Sequence, residues 1–356
     1  MESADSMKQD TGSEPKASVR MIAERLGVSP ATVSLALNGR KPSGSVSVST
    51  RQQVWNMAKE VGYPLSQLRS KRPLLERVAV FLNNVTNPVY SETLLHLCRA
   101  FSLNGVQVLM YLTRTDREAY KIAQDLSRRS EVDGAVFVGS RSEMPTLDIF
   151  CVFVGEVPPD SNVWQVRADN EGGGRAVGEY LWSLGHRSVA MIAPLLANSA
   201  GDKRLQGLRT FLAEQGESLP DNRILRGNFD KASDVEVRSM VSDFLQTNRQ
   251  SSNPATALFC FNDWIAGVVL KILRGMNVRV PEDISVVGFD DGIYAELLDV
   301  PLTTVHHPFD TLGTQAAELL LEQVESPDAS PRVLITRCRL VGRQSCSPVA
   351  PAKTAK

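Results

Sequence analysis

Basic side chains near the N-terminus carry the clearest chemistry in this sequence. Residues 16–77 contain eleven Lys or Arg against three Glu, a formal charge of +8, while residues 1–15 carry −3 and residues 78–356 carry −6. A run of charge is often only a solvated surface, but a positive excess confined to one short segment is also what neutralises nucleic-acid phosphates. We therefore predict a basic DNA-binding segment in front of an acidic body.

Residues typical of enzymes and of metal or cofactor sites form no recognisable pattern. The histidines are His96, His186, His306 and His307, and the cysteines are Cys98, Cys151, Cys260, Cys338 and Cys346. They are scattered, and the motifs C-x-x-C, G-x-S-x-G and H-E-x-x-H do not occur. The glycines at 172–174 lack both the G-x-G-x-x-G spacing and the P-loop Lys. The sequence thus predicts no catalytic site, no metal site, no disulfide framework and no cofactor.

Length and composition are those of a soluble protein with more than one domain. The 356 residues are 42% hydrophobic and 6% aromatic, and such a length predicts about two or three domains. A run of about 18 apolar residues, which a membrane helix needs, does not occur. Residues 1–15 are polar, lack the apolar stretch of a secretion signal and show no periodicity, so we expect a disordered tail on a cytoplasmic protein.

Residues 18–38, within the basic segment, have the pattern of two short helices joined by a tight turn. Ser18 is placed to cap the first helix, and Gly27 can end it in the left-handed conformation. Ser29 followed by Pro30 is typical of a helix start, because a capping hydroxyl precedes the position at which a missing N–H costs nothing. Two helices that cross at a Gly-containing turn form a helix-turn-helix.

The second helix has one apolar face and one face that is free to contact DNA. Helical spacing predicts that Val28, Val33 and Leu37 are buried. The opposite side carries Thr32, Ser34 and Leu35. An ordinary helical hairpin would show the same pattern, and the +8 charge around it favours the DNA-binding interpretation.

A third helix completes a small helical domain. The stretch GRKPSGSVSVS predicts a loop. Residues 50–62 follow, with Val54, Ala58 and Val61 on one helical face. We therefore assign residues 16–64 to an all-α, three-helix helix-turn-helix headpiece.

Beyond the headpiece, apolar runs and helical stretches alternate. The runs VAVFL, VQVLMYL, GAVFVG, CVFVG, SVAMIA, ALFCF and ISVVGF are separated by stretches of helical character, each about 12 to 18 residues long. This order is typical of parallel sheets built from βαβ units, which bind ligands at the carboxyl ends of their strands. The body is therefore predicted to be an α/β structure.

Many stretches of the chain resemble the LacI family of bacterial transcriptional regulators. AERLGVSPATVSLALNG, VSVSTRQQV and GYP resemble the headpiece of that family, and RVAVFLNNVTNPVY resembles its first core strand and the following turn. DGAVFVG, DNEGGGRAVGEYLWSLGHRSVAMIA, FNDWIAG, VPEDISVVGFDD and PLTTV then follow in family order. The resemblance implies an α/β core of two parallel-sheet subdomains, periplasmic-binding-protein-like, with a cleft that closes on a small effector.

The resemblance also implies the domain boundaries. The expected segments after the headpiece are a hinge over 65–76, an effector-binding and dimerisation core over 77–347, and a disordered tail over 348–356. Within the core, the N-subdomain is expected over about 77–170 plus 306–327, and the C-subdomain over about 171–305 plus 331–346. Crossovers between the subdomains are expected near 169–172, 301–309 and 326–332.

The DNA contacts that the resemblance implies have unusual chemistry. Family members contact bases from positions that here hold Pro30, Ala31 and Leu35, whose side chains cannot hydrogen-bond and can only touch a thymine methyl. Phosphate contacts that set the register are expected from Ser18, Ser29, Thr32, Ser34 and Asn38. We expect further base readout from Arg40, Lys41 or the lengthened loop, unless these two cations only neutralise the DNA backbone.

The hinge departs from the family pattern. Family members place a short helix after Tyr-x-Pro and wedge its Leu into the minor groove, whereas this chain reads GYPLSQLRSKRPLLER, where Pro73 would end such a helix. Two alternatives are open. Either Leu68 is the wedge, or the segment is a basic minor-groove arm that uses Arg69, Lys71 and Arg72.

The resemblance implies an effector site of complementary polar groups. Arg204 and Asp290 match recurrent ligand-binding positions of the family, and a guanidinium donor opposite a carboxylate acceptor suits a polyhydroxylated ring. Asn262 is expected to add amide contacts, while Asp263 either joins it or caps the next helix. Further contacts are expected from Asn87, Pro88 and Tyr90 on the N-subdomain wall, from Phe229 as an aromatic lid or alternatively a core residue, from His307 as a ligand contact or alternatively a structural histidine, and from Phe309.

These features predict a sequence-specific DNA-binding transcriptional regulator, a repressor whose operator affinity is controlled by a small molecule, expected to be a sugar. A headpiece that contacts one half-site needs a two-fold partner, so a homodimer on double-stranded DNA is expected. One alternative is a sugar-binding sensor of the same fold with only nonspecific nucleic-acid binding. A sugar-processing enzyme is the other alternative, although the sequence shows no residues for it.

Overall fold

The computed structural model describes residues 17–38, 46, 48–64, 75–83, 88–197, 199–229 and 232–349. Several residues with predicted roles lie outside the described residues, so those roles stay predictions: Arg40, Lys41, Leu68, Arg69, Lys71, Arg72, Pro73 and Asn87. Within the described part of the chain, no helix is long and apolar enough to cross a membrane.

Three helices form the headpiece: α1 (Val19–Leu26), α2 (Pro30–Asn38) and α3 (Val48–Glu60). Their shared core contains Ile22, Ala23, Val33, Ala36, Leu37, Val54, Trp55 and Ala58. The prediction that Val28 is buried is wrong, because Val28 packs against this core but is only partly buried. Trp55 was not predicted to be a core residue, yet it is 5% exposed and its indole N–H donates to the Ala36 carbonyl at 3.2 Å.

Capping contacts fix the turn between α1 and α2, as the sequence predicts. The Met21 N–H donates to Ser18 Oγ at 3.3 Å, and Gly27 ends α1 with a φ of 65°. At the start of α2, the Thr32 N–H donates to Ser29 Oγ at 3.0 Å. These hydroxyls satisfy backbone donors that a helix start leaves unpaired.

Helices and strands alternate along the body. The strands are β1 (Arg77–Leu82), β2 (Gln107–Leu112), β3 (Gly134–Val138), β4 (Phe150–Val154), β5 (Gln165–Ala168), β6 (Val189–Pro194), β7 (Ile224–Gly227), β8 (Ala257–Cys260), β9 (Ser285–Val287), β10 (Thr304–His306), β11 (Val333–Thr336) and β12 (Arg339–Val341). The helices are α4 (Pro88–Leu103), α5 (Asp116–Arg128), α6 (Asn170–Ser183), α7 (Ala200–Glu214), α8 (Asp234–Gln250), α9 (Asp263–Gly275) and α10 (Phe309–Glu325).

The sheet of the N-subdomain has the strand order β11-β5-β4-β3-β1-β2, and its paired strands are parallel. Helices α4 and α10 pack on one face, and α5 packs on the other. The central strands are therefore buried on both sides, which explains why β1 and β3 read as continuous apolar runs without alternation.

The sheet of the C-subdomain has the order β7-β6-β8-β9 and is also parallel. Helices α6 and α7 cover one face, and α8 and α9 cover the other. The antiparallel pair of β10 and β12 adjoins this sheet through bridges from Val287 to Thr303 and from Asp290 to His306. The carboxyl end of the sheet thereby continues into the segment that carries Asp290 and His307.

In the described chain, crossings between the subdomains fall between β5 and α6, between β10 and α10, and between β11 and β12. The third crossing is not where the sequence predicts it. The predicted position is 326–332, and residues 331–346 are predicted to belong to the C-subdomain. Strand β11 instead pairs in parallel with β5, from Val333 beside Gln165 to Thr336 beside Ala168. The crossing therefore follows Thr336, because β11 is an edge strand of the N-subdomain sheet.

The C-terminal segment is attached to the C-subdomain as far as Val349. The Val349 N–H donates to the Leu184 carbonyl at 2.9 Å, and His186 Nε2 lies 3.1 Å from the Ser347 carbonyl oxygen. The disordered tail was predicted to begin at residue 348. These contacts show instead that residues 348 and 349 continue the folded core.

Candidate functional site

The carboxyl ends of strands from both sheets border a cleft with a volume of about 370 Å³. This volume is in the range of small-molecule sites. The predicted effector residues that line it are Tyr90, Arg204, Asn262, Asp290 and His307. Polar or aromatic lining residues that the sequence analysis did not name are Asn83, Thr93, Arg114, Ser140, Asn170, Ser199 and Phe261. The structure thus brings most of the predicted effector residues together and adds further lining residues from both subdomains.

Three of these additional residues have a sequence signal. Asn83 directly follows β1, Arg114 lies shortly after β2, and Ser140 lies shortly after β3. Because the carboxyl ends of parallel strands meet at the same edge of a sheet, a polar residue just after an apolar run is a candidate ligand contact. The same rule, applied to each strand in turn, predicts this wall of the cleft.

Arg204, on α7, is held in a single orientation at the cleft. Its Nε donates to Asn170 Oδ1 at 3.0 Å, and its Nη1 donates to the Phe261 carbonyl. The guanidinium lies over the Phe289 ring, with 3.6 Å between Cζ and the ring centroid. Arg204 is only 5% exposed. Stacking and charge-assisted hydrogen bonds therefore fix the donor directions before any ligand arrives.

Close packing of α6 against α7 brings Arg204 next to Asn170. A Cβ on Gly174 would lie 1.9 Å from the Arg204 carbonyl oxygen, and a Cβ on Gly207 would lie 1.9 Å from the Glu171 carbonyl oxygen. Such distances are incompatible with any side chain at these two positions. The glycine run that begins α6 therefore serves helix packing, most directly through Gly174.

Asp290 faces Arg204 from a left-handed backbone conformation. Its φ is 115°, and the backbone is held there because the Asp290 N–H donates to the Val305 carbonyl at 2.8 Å. Asp290 Oδ1 lies 3.2 Å from Arg204 Nη1 but accepts no aligned hydrogen bond from the described residues. Burial raises the pKa of Asp290, and the Arg204 guanidinium opposes that rise. Oδ1 is therefore an acceptor that a ligand hydroxyl can use.

Asn262 and Asp263 have different roles. Asn262 lines the cleft and caps α9, because its Oδ1 accepts the Ile265 N–H at 2.9 Å. Asp263 is fully buried and accepts the Thr304 hydroxyl at 2.6 Å and the Gly292 N–H at 3.0 Å. Burial raises the pKa of Asp263. The cap that was one alternative for Asp263 is thus supplied by Asn262, and Asp263 joins strand ends beneath the cleft.

His307 is a buried lining residue with an unused nitrogen. It is 7% exposed, and its Nδ1 has no hydrogen-bond partner among the described residues. Burial lowers its pKa to about 3, with a further contribution from the charge of Arg204. The ring is therefore neutral at physiological pH, and Nδ1 donates or accepts one hydrogen bond according to the tautomer.

Phe229 and Phe309 do not line the cleft as the structure describes it. Phe229 is 5% exposed in the C-subdomain core and stacks on Phe261, with 5.5 Å between ring centroids. Phe309 stacks on His307 at 6.4 Å and is half-buried. Both rings therefore support lining residues from behind, and direct contact with an effector stays a prediction for each.

The side of α2 that is predicted to face DNA has few free hydrogen-bonding groups among its described side chains. Pro30 and Ala31 are exposed, and Leu35 is half-buried. Ser29 Oγ and Thr32 Oγ1 lie 2.8 Å apart and share a hydrogen bond while Ser29 caps the helix. The direct base contacts of these positions and the phosphate contacts of Ser18, Ser29, Thr32, Ser34 and Asn38 stay predictions.

Asn170 connects the subdomains at the first crossover. Its Nδ2 donates to Glu156 Oε1 at 2.9 Å, while its Oδ1 accepts from Arg204 Nε at 3.0 Å. Glu156 follows β4 of the N-subdomain, Arg204 belongs to the C-subdomain, and all three residues are at most 5% exposed. The two partners fix the orientation of the amide, since only Nδ2 can donate to a carboxylate and only Oδ1 can accept from a guanidinium.

We expect Asn170→Leu to weaken effector binding about tenfold, because Glu156 and Arg204 Nε would lose a hydrogen bond in a buried place. Calorimetric titration of the full chain with its effector measures this loss. Glu171→Gln is the matched control, since Glu171 is the exposed neighbour on the same helix and should leave affinity unchanged. Equal affinities of the two variants would contradict the role given to Asn170.

Two sequence profiles match the chain. The profile described as "Bacterial regulatory proteins, lacI family" matches residues 19–64, which contain the three headpiece helices. The profile described as "Periplasmic binding protein-like domain" matches residues 179–346. The headpiece and residues 179–346 of the core are thus each similar to a known domain.

Relatives match along nearly the whole chain. The HTH-type transcriptional regulator CelR of Thermobifida fusca is 30% identical over 344 residues, which cover 92% of this chain and 97% of that protein. The HTH-type transcriptional repressor PurR of Photobacterium profundum is 29% identical over 340 residues, covering 92% and 98% of the two chains. Both relatives are named as transcriptional regulators and not as enzymes.

Solved structures share the fold. A transcriptional regulator CelR–cellobiose complex has a TM-score of 0.68 at 29% identity and covers 92% of this chain and 99% of its own. The lac repressor dimer bound to operator and the anti-inducer ONPF has a TM-score of 0.65 at 22% identity, covering 94% and 100%. The similarity to the second structure concerns the fold alone.

Proposed function

The chain belongs to the lacI family of bacterial regulatory proteins and is a DNA-binding transcriptional regulator; from this premise we propose that it is a repressor controlled by a sugar bound in the cleft. The observation that carries the proposal is the ion pair of Arg204, an oriented donor, with Asp290, whose Oδ1 accepts no aligned hydrogen bond from the described residues. Vicinal hydroxyls donate and accept at once, so a polyhydroxylated ring satisfies both groups. The complex of the related CelR with cellobiose supports the same class of effector.

Ligand contacts on both walls provide the regulatory step. Tyr90 and Thr93 lie on the N-subdomain wall, while Arg204 and Asp290 lie on the C-subdomain wall. A ligand that touches both walls stabilises a closed cleft over an open one, and only such a difference in affinity can shift the equilibrium. The hinge enters the N-subdomain at β1, so rotation of that subdomain changes the position of the headpiece and, reciprocally, operator binding changes effector affinity.

We infer that the working form is a cytoplasmic homodimer and that the protein regulates without catalysing a reaction. One helix-turn-helix reads one half-site, and two-fold symmetry supplies the second copy that a palindromic operator needs. A regulator of bacterial genes must meet its operator in the cytoplasm, where the chromosome lies.

A thermal-shift screen of the full chain tests the effector. We expect at least one neutral or charged sugar to raise the melting temperature, because a ligand that binds only the folded state stabilises it by mass action. The panel includes hexoses, hexose phosphates, uronic acids, cellobiose, purines and amino acids. A rise with purines or amino acids and none with any sugar would overturn the sugar assignment.

Selection from random-sequence duplexes tests the regulator itself. We expect enrichment of a near-palindromic sequence, and weaker binding to it when the effector sugar is added. Titration at several salt concentrations separates phosphate contacts from base readout. Equal binding to all duplexes with a steep salt dependence would favour the sensor that contacts nucleic acid without specificity.

A further inference from the structure

Arg114, on the N-subdomain wall of the cleft, carries a charge that the described protein does not neutralise. It follows β2, is exposed and lines the cleft. Its backbone N–H donates to Glu118 Oε2 at 2.8 Å, but among the described residues its guanidinium has no hydrogen bond or ion pair. Arg141, which follows β3 at the same edge, is by contrast buried and paired with Asp116 at 2.8 Å.

The charges that line the cleft leave an excess of one cation. Among the described lining residues, the groups charged at neutral pH are Arg114, Arg204 and Asp290. Arg204 and Asp290 form a pair with 3.2 Å between Nη1 and Oδ1. Since His307 is neutral, the net positive charge of these described lining residues comes from Arg114.

Helix dipoles add to this positive potential. Residues at the amino ends of α4, α7 and α9 line the cleft, including Tyr90, Ser199 and Asn262. The amino end of a helix favours anions through its dipole and its unpaired N–H groups. Nδ1 of His307 is a buried group at the same cavity that has no hydrogen-bond partner among the described residues, and it marks the cavity independently as a ligand position.

We propose that the effector is an anionic sugar, one that carries a phosphate or a carboxylate, and that Arg114 binds its anionic group. The proposal rests on the proposed sugar-controlled function and adds the charge of the ligand to it. Arg204 and Asp290 hold the hydroxyls of the ring from the C-subdomain. Arg114 is then a specificity-determining residue, and its ion pair forms across the cleft when the two walls approach the ligand.

Calorimetric titrations of the full chain with glucose, glucose 6-phosphate, glucuronate, the corresponding galactose compounds and inorganic phosphate test the proposal. We expect a phosphorylated or carboxylated sugar to bind at least ~10-fold more tightly than its neutral parent, with an advantage that shrinks as salt is added. Comparison of the sugar phosphates with the sugar carboxylates identifies which anionic group the site binds. Inorganic phosphate alone should bind weakly, because it cannot reach Arg204 and Asp290 at once.

Substitution separates the role of Arg114 from general electrostatics. Arg114→Gln should remove the preference for the anionic sugar while the neutral parent binds as before, and Arg114→Lys should keep part of it. Arg117→Gln is the matched control, because Arg117 is an exposed arginine on α5 that does not line the described cleft. It should leave both affinities unchanged.

The outcomes distinguish this inference from the function on which it rests. Binding of a neutral sugar that is unaffected by Arg114→Gln, with no gain from a phosphate or carboxylate, overturns the anionic effector and leaves the sugar-controlled regulator standing. Inorganic phosphate that binds as tightly as any sugar phosphate overturns the sugar-anion assignment. Failure of every sugar, neutral or anionic, overturns the sugar-controlled function itself.

Discussion

Arg204→Gln is expected to lower the free energy of unfolding by about 3 kcal/mol and to weaken effector binding at least ~100-fold. The variant leaves Asp290 in a buried place without its cation, and it removes the stacked donor that meets the ligand. Urea unfolding measures the first effect, and calorimetric titration with the effector measures the second.

The double variant Arg204→Gln/Asp290→Asn is the informative control. Removal of both charges should restore most of the lost stability but none of the binding, because the cost of the single change comes from an unpaired buried charge. A single variant that is as stable as the double variant would show that the pair contributes little to the fold.

The free energy of unfolding of Arg204→Gln should depend on pH in a defined direction. Burial already raises the pKa of Asp290, and loss of Arg204 removes the charge that opposes this rise. A carboxyl whose pKa is higher in the folded than in the unfolded state favours folding at low pH, and this contribution is lost as the pH rises. The stability deficit relative to the unchanged chain should therefore be smaller at about pH 5 than at about pH 8.

Gly207→Ala is expected to destabilise the core by about 3 kcal/mol or more, since overpacking against rigid backbone forces two helices apart. The added Cβ would lie 1.9 Å from the Glu171 carbonyl oxygen. Thermal and urea unfolding measure the loss, and effector affinity should fall with it because α7 carries Arg204.

Gly275→Ala provides the matched control for this prediction. Gly275 ends α9, is exposed, and a Cβ there would meet no atom within 4 Å. Removal of a glycine from such a position should leave stability unchanged or raise it by up to about 1 kcal/mol. Similar destabilisation by both changes would mean that the crossing of α6 and α7 is not the cause.

The headpiece shows what periodicity can and cannot predict. Capping residues at Ser18 and Ser29 fix the starts of α1 and α2, so the positions at which the two helices begin follow from local chemistry alone. Trp55 was not predicted to be buried because it is adjacent to Val54 in the sequence. Helical periodicity assigns only one of two adjacent residues to the buried face, whereas this small core buries both. The width of the buried face depends on how the three helices pack together, and the sequence of a single helix does not contain that information.

The core shows a different limit. The parallel sheets follow from the apolar runs, and Arg204 and Asp290 from the resemblance, but β11 was assigned to the wrong subdomain. Its short sequence VLIT is half exposed along an edge, so composition does not indicate which sheet it joins. Only its register against β5 decides this. Asn170 was likewise missed, because its role depends on two partners distant in sequence, Glu156 and Arg204.

The interlocked glycines of α6 and α7 also have a mechanical consequence. With backbone against backbone at Gly174 and Gly207, the two helices have no room to slide past one another and should move as one rigid unit. Arg204 and Asn170 both lie on this unit and are hydrogen-bonded to each other where the chain passes into the N-subdomain. A shift of the guanidinium on ligand binding is therefore expected to reach the crossover directly, through one buried hydrogen bond.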